Sequence, residues 1–68
     1  MKKDSAKTPN YSLEIAKLLA ESAQARSDFG RVCKVAFAVA RTEDDYVSYV
    51  WAYLSGNRDW KSLEEKIP

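Results

Sequence analysis

The stretch Thr42–Gly56 constrains this chain more than any other, because one run holds the start, the contents and the stop of a helix. Thr42 is a residue type that caps helix N-termini, and Asp45 falls at the third helical position, an imperfect capping box. Glu43, Asp44 and Asp45 place negative charge against the positive end of the helix dipole. Gly56 closes the run, since glycine takes the left-handed conformation beyond a helix C-terminus without strain. Between these ends, Tyr46, Val47, Val50, Tyr53 and Leu54 recur at helical spacing as a central stripe, flanked on opposite sides by Tyr49 and Trp51. The apolar arc therefore spans more than half of the circumference. Four of the chain's eight aromatic residues sit on this helix, so its surroundings decide how much aromatic surface stays open.

The segments before it read as helices too. Residues 1–9 form a polar tail ending at Pro9, with Lys2, Lys3 and Lys7 as its cations. A first helix is expected over about Ser12–Ala25, with Asn10 or Ser12 as N-cap. Glu14, Lys17, Glu21 and Gln24 trace its polar stripe, and Tyr11, Ile15, Leu18, Leu19 and Ser22 trace the opposite side. One continuous helix to Arg41 is disfavoured. At about 100° per residue, Arg26 would turn onto the apolar face and Val32 and Val35 onto the polar one. A break near Arg26–Asp28 with Ser27 as the new cap repairs the phase.

The second helix is then Asp28–Arg41. Phe29, Val32, Cys33, Ala36, Val39 and Ala40 form its apolar arc, Val35 and Phe37 lie at the edges, and Arg31, Lys34 and Arg41 share the polar side. Cys33, Val35, Phe37 and Val39 also alternate as in a strand, but the interleaved alanines and the lack of a second strand to pair with favour the helix. Asn57-Arg58-Asp59 is a tight connector. A short helix follows from about Asp59, with Trp60, Leu63 and Ile67 on one face and Lys61, Glu64 and Glu65 outward. Two glycines and two prolines in 68 residues argue against a turn-rich all-β chain and for helices. The expected fold is all-α: a small antiparallel bundle of three main helices plus a short C-terminal one, as one domain over residues 10–68.

Several kinds of chemistry have no residues to carry them. There is no histidine and one cysteine, so a zinc or other transition-metal set cannot be assembled, and Cys33 lacks the usual base of a thiol nucleophile. Cys33 is expected as a buried small hydrophobe. The acids Glu43, Asp44 and Asp45 are explained by helix-start electrostatics and are not followed by a calcium-loop spacing. Two glycines leave no phosphate-binding loop. No enzyme activity and no cofactor are expected. The start carries no apolar run, so neither a signal peptide nor a membrane anchor is expected, and the single cysteine fits a cytoplasmic setting.

Two binding functions stand. Tyr49, Trp51, Tyr53 and Trp60 form a cluster of interface-type aromatics, and so short a chain has little core in which to hide them all. They point to a protein partner, and to a homodimer as the commonest way to cover such surface. A free-standing chain of this size suits an adaptor, inhibitor or regulator, including those of phage or mobile elements. The alternative is DNA or RNA binding through Arg26, Arg31, Lys34 and Arg41, which with Asp28 give residues 26–41 a charge of +3. Against it stands a whole-chain charge of only +1.

Overall fold

Asn10 opens the first helix by accepting a hydrogen bond from the Leu13 amide at 3.1 Å. The computed structural model describes residues 10–67, and in these the order is α1 (Tyr11–Glu21), α2 (Ala23–Val39), α3 (Glu43–Leu54) and α4 (Lys61–Lys66). No strand occurs among the described residues, so the chain is all-α as expected. The tail expected over residues 1–9 lies outside the described residues.

The break between the first two helices is real but falls at Ser22, not at Arg26–Asp28. Ser22 is extended (φ −124°, ψ 118°), and its hydroxyl accepts from the Ala25 amide at 3.1 Å, capping α2. Arg26, one turn into α2, reaches back and donates to the Leu19 carbonyl at 2.6 Å and to the Ala20 carbonyl at 3.3 Å. A cation thus serves the exposed carbonyl end of α1. Ser27 lies inside α2 and caps nothing. One extended residue is enough to redirect the axis. Ile15, seven residues before Ser22, and Phe29, seven after, line the same hollow, so α1 and α2 fold towards each other about that residue.

Three residues, Ala40 to Thr42, join α2 to α3 and return the chain alongside itself. Thr42 caps α3 as expected, its hydroxyl accepting from the Asp45 amide at 3.1 Å. At the other end Gly56 has φ 87°. Its amide donates to the Tyr53 carbonyl and that of Asn57 to the Ala52 carbonyl, the paired bonds of a Schellman cap. The last helix starts at Lys61 rather than Asp59, because Asp59 stands outside it and accepts from the Lys61 amide at 3.1 Å.

The core sets small residues of α2 against a valine and two aromatics. Val32, Val35 and Ala36 of α2 are essentially shut from solvent and meet Val50 and Tyr53 of α3 and Trp60 before α4. Ile15 and Phe29 pack against this cluster from the fork around Ser22, and Leu63 and Ile67 from the C-terminal end. Helix α1 contributes no fully buried side chain. Val35, expected at the edge of the apolar arc, lies at its centre.

Replacing Ser22 with alanine is expected to cost about 1 kcal/mol, the usual loss for an N-cap hydroxyl. Ser27→Ala, at an exposed position inside α2, changes stability by less than about 0.5 kcal/mol. Urea unfolding of the two variants checks this; a break at Ser27 reverses their order.

Candidate protein-interaction surfaces

Helix α3 turns its wet flank towards an open cleft of about 290 Å³. Asp45, Tyr49 and Ala52 lie along one face at steps of four and three, Trp51 borders them, and Tyr11 and Arg58 close the two sides. Tyr11 comes from the first residue of α1, and its ring sits 5.3 Å from that of Trp51 at a tilt of 43°. Tyr49 stacks on Tyr53 at 5.8 Å, and the Arg58 guanidinium lies 5.7 Å from the Tyr49 centroid. Both Tyr49 and Trp51 remain half-buried. Two aromatic faces flanked by one carboxylate and one guanidinium make a surface that offers apolar area together with polar handles of either sign.

The other two aromatic candidates sit elsewhere. Tyr53 and Trp60 are 4% and 6% exposed and belong to the core. Burial raises the Tyr53 phenol pKa, and the adjacent Tyr49 raises it further. Trp60 is the floor of a latch between α2 and α4. The Arg31 guanidinium lies 5.0 Å from its centroid and donates to both Glu64 oxygens, through Nε at 2.9 Å and Nη2 at 2.7 Å. This bidentate pair raises the Arg31 pKa and holds the Glu64 carboxyl below its ordinary value. Glu64, expected to point outward, instead ties the last helix down.

The four cations considered for nucleic acid have separate placements. Arg26 caps α1 and Arg31 grips Glu64, while Lys34 and Arg41 are exposed. Cys33 is half-buried in a hollow of about 190 Å³ with Ile15, Phe29, Tyr46 and Val50. The thiol beside it is the main cause of the raised Tyr46 pKa, with burial second. Among the described residues no group of three or more histidine, cysteine or acidic side chains is placed to hold a metal ion, and no helix is long and apolar enough to cross a membrane.

Two large apolar side chains are exposed that the sequence did not single out as surface: Leu13 of α1, 51% exposed, and Phe37, expected at the edge of the apolar arc of α2. Phe37 is 79% exposed, touching Tyr46 edge-on at 6.4 Å. It stands beside an open hollow of about 520 Å³ with Ala40, Arg41, Thr42, Glu43 and Tyr46. The signal was there in the helix phase: Phe37 lies about 100° from Ala36 and about 160° from Val35 around α2. No protein-family model matches this chain, and no curated protein or solved structure matches it either.

The latch has a pH signature. Because the Glu64 pKa is lowered on folding, its stabilisation is complete above the ordinary value of 4.5 and fades as pH falls through the depressed one. Thermal melts from neutral pH into acid are expected to show Glu64→Gln with a lower midpoint near neutrality and a shallower acid decline than wild type. Parallel curves for the two proteins count against the latch.

Proposed function

We propose that this chain is a small non-enzymatic protein-interaction module and that the cleft holding Tyr49 and Trp51 is its partner surface. The observation that carries the reading is the division of the aromatic side chains. Tyr53 and Trp60 are spent on the core, whereas Tyr49 and Trp51 keep open faces beside Asp45 and Arg58. Rigid aromatic area bordered by opposite charges is the composition of an interface centre with a polar rim. The rings are also held in place before any partner arrives, Trp51 by Tyr11 and Tyr49 by Tyr53 and Arg58, which lowers the ordering cost of association. An adaptor, an inhibitor or a regulator would each act by occupying a surface of another protein in this way.

Nucleic-acid binding along α2 is the weaker reading, since two of its four cations are engaged within the fold. Lys34 on α2 and Arg41 in the connector after it would have to carry the phosphate contacts between them.

Affinity capture from the native host, quantified by mass spectrometry, tests the proposal. Wild type and Lys34→Glu are expected to retain the same protein partner, and Tyr49→Ala and Trp51→Ala to lose it. Each truncation at a hot spot should weaken binding by about 30-fold, the equivalent of about 2 kcal/mol. A set of captured proteins unchanged by both cleft substitutions overturns the assignment.

A further inference from the structure

The Phe37 face is chemically distinct from the cleft and has a shape and charge of its own. A large exposed ring projects from the last turns of α2, and directly beside it opens the hollow between the end of α2 and the start of α3. Knob and hole therefore sit next to each other on one surface. Arg41 and Glu43, two residues apart, both line that hollow. Among the described residues neither is in an ion pair, since the pairs there are Lys17 with Glu14 and Arg31 with Glu64.

In an interface with two-fold symmetry, residue i of one subunit meets residue j of its partner and j meets i. A surface with a ring beside a hole, and a cation beside an anion, satisfies that rule with itself. We propose that the Phe37 face is an isologous interface with a second copy of this chain, each Phe37 entering the other's hollow and each Arg41 facing the other's Glu43. An occupant carrying one sign of charge would match either Arg41 or Glu43 and oppose the other; a second copy matches both. The proposal does not depend on the Tyr49–Trp51 cleft, which it leaves open on both subunits.

Sedimentation velocity on the full chain over a range of concentrations tests it. Wild type is expected to dimerise, with Phe37→Ser weakening the dimer tenfold or more while leaving the helical circular dichroism unchanged, since the ring is outside the core. Arg41→Glu and Glu43→Arg, each alone, place like charges across the interface and should also give monomers. Mixing these two variants in equal amounts should restore dimer, because the two acids of one chain then face the two cations of the other. Trp51→Ala should dimerise as wild type does. A wild type that stays monomeric at every concentration overturns the proposal. So does a dimer that survives Phe37→Ser, or a pair of folded charge variants that fail to complement each other.

Discussion

The contact between Val32, Val35 and Ala36 of α2 and Val50 and Tyr53 of α3 is the one the remaining parts lean on. On the α2 side its side chains are short and stiff, so little rotamer freedom is lost on packing. Each buried valine contributes about 1.5–3 kcal/mol of transfer free energy, and no larger side chain is as completely enclosed. Every other element reaches this seam through a few residues. Helix α4 does so through Leu63 and its flanking residues Trp60 and Ile67, and α1 through Ile15. A domain this small cannot enclose its whole apolar stock: Leu13 of α1 and Phe37 of α2 are left exposed, and Tyr49 and Trp51 of α3 half-buried.

Charge follows the same economy. Arg26 neutralises the carbonyl end of α1, and Arg31 bridges thirty-three positions of sequence to hold Glu64 over Trp60. The acids at the head of α3 serve the helix dipole. Two of those acids also border the open surfaces, Asp45 opposite Arg58 around the cleft and Glu43 beside Arg41 around the hollow. Both surfaces are close to neutral as a unit.

Much of this was legible in the residues. Thr42 and Gly56 bounded α3 because a cap hydroxyl and a left-handed glycine each act within a few residues of their own position. The need for a break after α1 was legible too, since phase accumulates along a helix and the valines would otherwise have faced solvent. Its location was not. Ser22 and Ser27 are the same residue type, and Ser22 fell in line with the apolar residues of α1, so it read as part of the helix it ends. The deciding bonds, from Ala25 to Ser22 and from Arg26 to Leu19, exist only once the chain has turned. The split of the aromatics was not legible: Tyr53 and Trp60 read as interface residues alongside Tyr49 and Trp51, and their burial with Val32, Val35 and Ala36 depends on contacts between distant segments.

The placement of the two tryptophans gives the molecule built-in optical reporters. Trp60 is enclosed under Arg31 and joins α4 to the core, whereas Trp51 is partly wet and touches α1 through Tyr11. Lifting α4 would hydrate the first indole and leave the second nearly unchanged; lifting α1 would do the reverse. Terminal elements tied by few contacts open locally at lower free energy than the whole fold. Indole emission from single-tryptophan chains would therefore separate the fraying of one end from that of the other, and both from global unfolding.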